Sequence, residues 1–190
     1  QMLNMYSEKN ILVIDDVETN LNLVEAILKK SHPEYNILLT KSGREGIELA
    51  QTKSPEVILL DIFMPDIDGF ETCKKIKSDT TTCSIPILMV SAGGDSSDIR
   101  IEGLQSGADA IISKPFKREE FVALVNVMLR IKRAEDKLKK QNQELEVYIR
   151  KQIKEFHHAE DRFLQISGYA LEFFWEIDIN GVVTYISPKL

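Results

Sequence analysis

Polar side chains follow four short apolar runs of this sequence, at the points where buried strands would end. They are Asp15 and Asp16 after the run at 10–14, Asp61 after 57–60, Ser91 after 86–90, and Lys114 after 110–113. In an open α/β sheet, the carboxyl ends of parallel strands meet at one edge, where ligands gather. We therefore expect three carboxylates, a hydroxyl and an ammonium to lie close together.

These side-chain types suit the chemistry of phosphoryl transfer. Three crowded carboxylates repel one another, and a divalent cation relieves that repulsion; carboxylates with open water positions suit Mg²⁺. The cation, the ammonium of Lys114 and the hydroxyl of Ser91 would stabilise charge on a phosphoryl group in transfer. The remaining carboxylate would be the nucleophile and would form an acyl phosphate. Taken singly, each residue could equally be a helix cap, a turn residue or a solvated lysine.

The elements that must position these residues alternate between strand and helix. We predict strands near 10–14, 36–40, 57–60, 86–90 and 110–113, with helices near 17–30, 42–52, 70–78 and 97–105 and a last helix from about 117. Such alternation indicates βαβ units and a parallel sheet. The fold class is therefore α/β, a doubly wound five-stranded parallel sheet.

Composition narrows the classes of function. The net charge of −6 argues against non-specific nucleic-acid binding, which requires a basic surface. Two cysteines, Cys73 and Cys83, give no disulfide framework, so a reduced cytoplasmic setting is expected. No apolar run approaches the ~18–20 residues of a membrane span. We expect no membrane contact in this sequence.

Residues 6–129 resemble the receiver domain of two-component response regulators, a flavodoxin-like domain. The motifs that carry the resemblance are Ile14-Asp15-Asp16, Leu60-Asp61-Ile62-Phe63-Met64-Pro65 with Asp68-Gly69, Val90-Ser91-Ala92, Gly107-Ala108-Asp109 and Lys114-Pro115-Phe116. The resemblance implies that Asp61 accepts a phosphoryl group from a histidine kinase or phosphotransfer protein. The protein would then be a signalling receiver that sheds phosphate slowly, not an enzyme proper.

The resemblance also implies a role for each neighbour of Asp61. Asp16 and Asp61 would bind Mg²⁺ directly, Asp15 through water, and the backbone carbonyl of Phe63 would complete the protein ligands. Ser91 would bind a phosphoryl oxygen, and Lys114 would pair with the phosphoryl charge. Receivers usually have a cis bond at the Lys-Pro step.

Two positions depart from the common receiver pattern or modify it. Receivers often place Tyr or Phe three residues before the lysine, as an aromatic switch, whereas this sequence has Ile111. We expect Ile111 to be a core residue and the output to travel through the last helix. Phe63 is bulky where water must reach an acyl phosphate, so we expect slow autohydrolysis.

The last helix continues past the receiver, because no Gly or Pro interrupts the sequence between Phe116 and Gly168. A heptad seam has Phe121, Met128, Glu135, Asn142, Ile149 and Phe156 at position a, and Leu124, Ile131, Leu138, Leu145 and Gln152 at position d. This pattern favours a coiled-coil linker over 130–162, about 45 Å long over residues 130–160. We predict a parallel homodimer through 130–160, with Asn142 fixing its register; the alternative is a single solvated helix. His157 and His158 are interpreted as solvated residues.

Residues 163–190 resemble the start of a PAS domain. The pattern is Trp175, Asp178 and Gly181, followed by Tyr185 and Ser187. Two strands, at about 173–178 and 182–187, would be joined at Asn180-Gly181 as a hairpin. The predicted route is thus from Asp61, through a dimeric helix, into a PAS and effector module.

Two other functions remain open at the level of sequence. A haloacid-dehalogenase-type phosphatase or phosphotransferase also uses an Asp nucleophile and Mg²⁺, but it requires Asp-x-Asp after its first strand, whereas here Asp15 and Asp16 are adjacent. A pseudo-receiver used only for dimerisation would not need an intact acidic site.

Overall fold

A computed structural model describes residues 9–92, 97–169 and 175–186. The strands are β1 (Asn10–Ile14), β2 (Asn36–Thr40), β3 (Val57–Asp61), β4 (Ile87–Ser91), β5 (Ala110–Ser113), β6 (Trp175–Ile177) and β7 (Val183–Ile186). The helices are α1 (Glu18–Ser31), α2 (Gly43–Lys53), α3 (Gly69–Ser78), α4 (Ser97–Gln105) and α5 (Arg118–Tyr169). Strands β1 to β5 form one parallel sheet in the order β2-β1-β3-β4-β5, which confirms the predicted fold class.

The central strands are apolar between their ends because helices cover both faces of the sheet. Every residue of β1, β3 and β4 is buried, whereas β2 and β5, at the edges, are partly exposed. Successive side chains point to opposite faces, so each strand contributes to two cores. Ile11, Val13 and Leu59 pack in the cluster that includes α1 and α5, and Leu12 and Ile58 pack in the cluster that includes α2 and α3.

The connection from β3 to α3 requires a glycine at its end. A Cβ atom on Gly69 would lie 2.4 Å from the backbone oxygen of Asp61, closer than any side chain could approach. The N–H of Gly69 instead donates to the carbonyl of Ile62 at 2.8 Å. Asp68 then caps α3 by accepting from the N–H of Glu71. The loop that follows Asp61 is thereby closed back onto the end of its own strand.

Helix α5 covers the sheet with its first turns and makes a polar contact beyond them. Phe121 and Val125 are fully buried, and the rings of Phe121 and Phe116 stack with centroids 5.0 Å apart. Further along, Arg133 Nη2 donates to the hydroxyl of Tyr35 at 2.8 Å, and that hydroxyl donates to Glu56 at 2.6 Å. Arg133 therefore attaches the helix to the ends of the sheet opposite Asp61, where β2 and β3 begin.

The chain divides into two units, residues 1–137 and 138–190. In the second unit, every side chain described at 138–165 and 175–186 is exposed. Strands β6 and β7 pair antiparallel, and Gly181 takes the positive φ of 81° that their turn requires. Positions 173, 174 and 187 of the predicted hairpin lie outside the described residues. Within those residues, no helix combines the length and apolar character needed to cross a membrane.

Candidate functional site

Lys114 joins two of the predicted acids at the carboxyl edge of the sheet. Its Nζ donates to Asp15 Oδ2 at 2.9 Å and to Asp61 Oδ1 at 2.6 Å. Asp15 directly follows β1, Asp61 ends β3, and Lys114 directly follows β5, so three strand ends supply the cluster. We call these three side chains the lysine-bridged acid pair.

Backbone and side-chain donors fix the two carboxylates in place. Asp61 Oδ2 accepts from the N–H of Phe63 at 2.9 Å. Asp15 Oδ1 accepts from the N–H of Val17 at 2.9 Å and from Asn20 Nδ2 at 3.0 Å. Each of the two aspartates is only 5% exposed. Asn20 was not predicted from sequence; its place on the first turn of α1, five residues after Asp15, was the available signal.

Burial and charge act on the three groups in different directions. Burial raises the pKa of Asp61, and the charge of Asp15 adds to this, although the hydrogen bond and charge of Lys114 work against it. Burial alone would lower the pKa of Lys114, but its hydrogen bonds to Asp61 and Asp15 outweigh burial and raise it. The lysine is thus held charged, while Asp61 still resists ionisation. A further cation at this edge would favour the carboxylate form that a nucleophile needs.

The remaining predicted residues lie around the lysine-bridged acid pair. Ser91, at the end of β4, is 1% exposed, and its backbone carbonyl accepts from the N–H of Lys114 at 2.7 Å. Asp16 is half-buried, and Phe63 is 51% exposed. The Lys114–Pro115 peptide bond is cis.

Ile111 lies on β5, opposite Met89 of β4, and packs against the core cluster that contains Met89. A Cβ atom on Gly103 of α4 would lie 2.4 Å from Ile111 Cδ1, so helix and strand are tightly packed there. The Ile111 side chain therefore fills space between β5 and α4.

The site has the oxygen ligands that Mg²⁺ prefers, but the ammonium group of Lys114 lies between the carboxylates of Asp15 and Asp61. Among the residues described (9–92, 97–169 and 175–186), no three carboxylate, imidazole or thiol side chains stand together as a metal-binding group. Lys114 bridges Asp15 and Asp61 instead. The donor chemistry nevertheless fits a hard cation, since buried carboxylate oxygens and a nearby backbone carbonyl are its usual ligands. The Mg²⁺ ligands predicted from sequence are Asp16, Asp61 and the Phe63 carbonyl, with Asp15 acting through water.

A doubly wound sheet with buried acids and a lysine at its carboxyl edge matches the arrangement expected of a signalling receiver domain. The sequence profile described as response regulator receiver domain matches residues 11–126. The chain belongs to the response regulator receiver family. This membership goes against the haloacid-dehalogenase alternative.

Curated relatives share the receiver and extend well beyond it. The chain is 38% identical over 129 residues to response regulator PleD of Caulobacter vibrioides, covering 68% of this chain and 28% of PleD. It is 36% identical over 122 residues to the alkaline phosphatase synthesis transcriptional regulatory protein PhoP of Bacillus subtilis, covering 64% of this chain and 49% of PhoP. The chain thus spans less than half the length of these two relatives.

Solved structures of receivers superpose on the same portion of the chain. A putative response regulator from Chloroflexus aurantiacus has 30% identity and a TM-score of 0.60, covering 65% of this chain and 98% of that one. The receiver domain of a sensor histidine kinase from Pseudomonas aeruginosa has 27% identity and a TM-score of 0.57, covering 66% of this chain and 98% of that one. That structure has a magnesium ion coordinated in its active-site cleft.

Proposed function

We propose that this receiver is a working phosphoacceptor in which Asp61 takes a phosphoryl group from a phosphohistidine. The observation that carries the proposal is the lysine-bridged acid pair, with Lys114 Nζ 2.6 Å from Asp61 and 2.9 Å from Asp15. The donors are a cognate histidine kinase or phosphotransfer protein. In the transfer, a carboxylate oxygen of Asp61 bonds to phosphorus as the phosphorus–nitrogen bond breaks, and the electron pair returns to the imidazole.

Each neighbour has a separate task in this step. Lys114 keeps a positive charge beside the nucleophile, where it balances the charge of the incoming phosphoryl oxygens. Ser91, buried at the end of β4, offers a hydroxyl to one of those oxygens. Asn20 and the N–H of Val17 hold Asp15, so that Asp15 stays in place when Lys114 turns towards the phosphoryl group. Mg²⁺, held as described above, would neutralise charge on the transferring group.

Phosphate labelling tests this function directly. The full chain is incubated with Mg²⁺ and acetyl phosphate, and the acyl phosphate is measured by intact mass. Wild type should gain one phosphoryl group, and Asp61→Asn should gain none. Asp79→Asn, a change at a partly exposed aspartate in the loop after α3, is the matched control and should label like wild type. Equal labelling of wild type and Asp61→Asn would overturn the proposal.

We further propose that Phe63 prolongs the phosphorylated state. Its N–H is hydrogen-bonded to Asp61, and its ring is half exposed beside the site. The ring limits the approach of water to the acyl phosphate, whereas an amide in its place could admit and orient water. The half-life of the phosphoprotein should shorten in Phe63→Asn. An unchanged or longer half-life would contradict this role.

We also propose that the signal leaves through α5. Two copies of this helix would form a parallel dimer, which passes the signal to a PAS-like module beginning near residue 163. Supporting this, Leu138, Leu145, Ile149 and Phe156 are all exposed large apolar residues at heptad positions. Sedimentation of the full chain at tens of micromolar should show a dimer. Leu145→Glu should shift it to monomer, whereas Val147→Glu, a change of the same kind off the seam, should not. A monomeric wild type, with or without phosphate, would refute the dimer.

A further inference from the structure

A second acid in the loop between β3 and α3 attaches that loop to a different helix. Asp66 Oδ2 accepts from Ser42 Oγ at 2.7 Å and from the N–H of Arg44 at 3.3 Å. Its Oδ1 accepts from the N–H of Gly43 at 3.4 Å. Ser42 is the N-cap of α2, and its hydroxyl also accepts from the N–H of Glu45. Asp66 therefore extends the cap of α2 from outside the helix.

Apolar packing brings the same two segments into contact. Ile67, next to Asp66, is 6% exposed. A Cβ atom on Gly43 would lie 2.7 Å from Ile67 Cγ1 and 2.5 Å from Thr72 Oγ1, so only a glycine allows this approach without movement. The loop is thus pressed onto the first turn of α2, and the carboxylate of Asp66 closes the contact on its polar side.

The negative charge of Asp66 favours this contact near neutral pH. Partial desolvation would raise the pKa of Asp66, but hydrogen bonds from Ser42 and from the N–H groups of Ile67, Arg44 and Gly43 outweigh it and lower the pKa to about 2. The first turn of a helix, with its unpaired N–H groups and positive dipole end, is where a carboxylate is most stabilised. Asp66 therefore remains an anion, and the contact persists near neutral pH.

The loop held in this way includes the backbone of Phe63. At one end of the loop, the N–H of Phe63 is bonded to Asp61, and the N–H of Ile62 donates to the carbonyl of Val90 at 3.1 Å. Near the other end, Asp66 binds α2. Because a peptide carbonyl moves with its backbone, anchors on both sides of residues 63–65 restrict where the Phe63 carbonyl points.

We propose that Asp66 is a positioning residue for the magnesium site: by holding the loop on α2, it sets the Phe63 carbonyl against Asp61. This inference rests on the proposed function, in which that carbonyl and Asp61 are Mg²⁺ ligands. Asp66 touches neither the metal nor the phosphoryl group. Loss of its carboxylate frees the loop and weakens Mg²⁺ binding, while the sheet and its cores stay intact.

The test compares Asp66→Ala with Asp79→Ala in the full chain. Asp79 is a close match, since it too is a surface aspartate that joins a loop flanking α3 to helix α2, where it accepts from Gln51 at 2.8 Å. It also accepts from Thr81, and it lies at the opposite end of α3 from Asp61. Both changes remove a surface carboxylate with several hydrogen bonds.

The primary measurement is the Mg²⁺ dissociation constant from amide shifts in ¹H–¹⁵N spectra during titration with MgCl₂. Partners that orient metal ligands typically contribute 10–100-fold in affinity, and for an exposed partner we expect roughly three- to tenfold weakening in Asp66→Ala. Asp79→Ala should match wild type within about twofold. Asp66→Asn should lie between, because its amide oxygen can still accept from the N–H groups of α2. Labelling by acetyl phosphate should be slowed in Asp66→Ala at low Mg²⁺ and restored at saturating Mg²⁺.

The outcomes separate this inference from the proposed function. If Asp66→Ala binds Mg²⁺ as tightly as Asp79→Ala does, Asp66 does not position the site. If Asp66→Ala does not fold, Asp66→Asn decides the matter, and an affinity equal to that of Asp79→Asn rejects the inference. If wild type itself neither binds Mg²⁺ nor takes label, the proposed function fails first, and the inference fails with it.

Discussion

The early and late turns of α5 present similar apolar residues to opposite environments. Phe121 and Met128 are buried, at 0% and 3% exposure, whereas Leu138, Leu145 and Phe156 are 58%, 55% and 69% exposed. Both stretches lie on one helix and continue one heptad pattern. The early residues are apolar because the sheet of their own chain covers them. The late residues have no such cover among the described residues, and this exposure is what the dimer proposed above would bury.

This contrast shows what hydrophobic periodicity does and does not specify. An apolar stripe on a helix predicts that this face is covered. The spacing of its apolar residues is nearly the same whether a sheet or a second helix covers it. For the early turns of α5, the strands that precede the helix in the sequence form the sheet that covers them. For residues 138–165, every described side chain is exposed. In the dimer that we propose, the same apolar residues of a second copy would cover them.

The largest effect is expected when one phenylalanine is removed from each of the two stretches of α5. Phe121→Ala opens a cavity beneath the stacked ring of Phe116, and should lower the free energy of unfolding of the receiver by about 3–5 kcal/mol. Phe156→Ala makes the same chemical change on an exposed surface, so receiver unfolding should shift by less than about 0.5 kcal/mol. Urea unfolding followed by circular dichroism, at two protein concentrations, measures both.

The two variants should also differ in their concentration dependence. The loss in Phe121→Ala should be the same at both concentrations, since it arises within one chain. The effect of Phe156→Ala should appear in the dimer dissociation constant measured by sedimentation. If Phe156→Ala destabilised the receiver as much as Phe121→Ala does, the division of α5 into two environments would be wrong.

Much of the fold and the edge of the site could be predicted from sequence because short-range rules set them. Apolar runs of four or five residues between helical patterns specify a parallel sheet, and a parallel sheet brings Asp15, Asp61 and Lys114 to one edge. The bond from Lys114 to both acids was not predicted, because residues 53 and 99 positions apart meet only once all five strands are in register. The anchoring role of Asp66 was missed for the same reason, since its partners lie on α2.

The contact between Arg133 and Tyr35 was equally invisible in the sequence. These residues are 98 positions apart, and an arginine in a long charged helix has the appearance of a solvated residue. The structure shows instead that Arg133 binds the hydroxyl of a tyrosine that is 5% exposed. Burial and the hydrogen bond to Glu56 raise the pKa of Tyr35 to about 12, against the influence of Arg133, so the hydroxyl stays protonated and can donate to Glu56.

A smaller effect should come from removing that hydroxyl. Tyr35→Phe leaves the ring in place but deprives Glu56 and Arg133 of their shared partner, so the free energy of unfolding should fall by about 1–2 kcal/mol. Amide exchange should also speed up in α5 around residue 133. The matched control is Tyr148→Phe on the same helix, where Tyr148 is 60% exposed, and neither measurement should change. Equal stability of Tyr35→Phe and wild type would show that Arg133 does not anchor the helix.

The smallest effect concerns pH and His32, which packs edge-on against Tyr35 with ring centroids 6.0 Å apart. Its Nε2 is buried without a hydrogen-bond partner among the described residues, and burial lowers the pKa of His32, with Arg133 adding to and Glu34 opposing the shift. A lowered pKa means that the folded protein holds the neutral ring, while the unfolded chain takes up a proton near its ordinary value of about 6.5. Stability from this group is therefore complete above that pH and is lost as pH falls below it.

The comparison of His32→Gln with wild type isolates this group, because every other titrating residue is common to both proteins. Between pH 7.5 and pH 5.5, the urea midpoint of wild type should fall more than that of His32→Gln. His157→Gln, a change at an exposed histidine of α5 in the second unit, should leave the pH dependence of wild type intact. Parallel pH profiles for wild type and His32→Gln would mean that the buried ring is not held neutral. If only His32→Gln changes the pH profile, then burial of the imidazole causes the pH sensitivity. Among the described residues, His32 is the histidine whose ring nitrogen is buried without a hydrogen-bond partner.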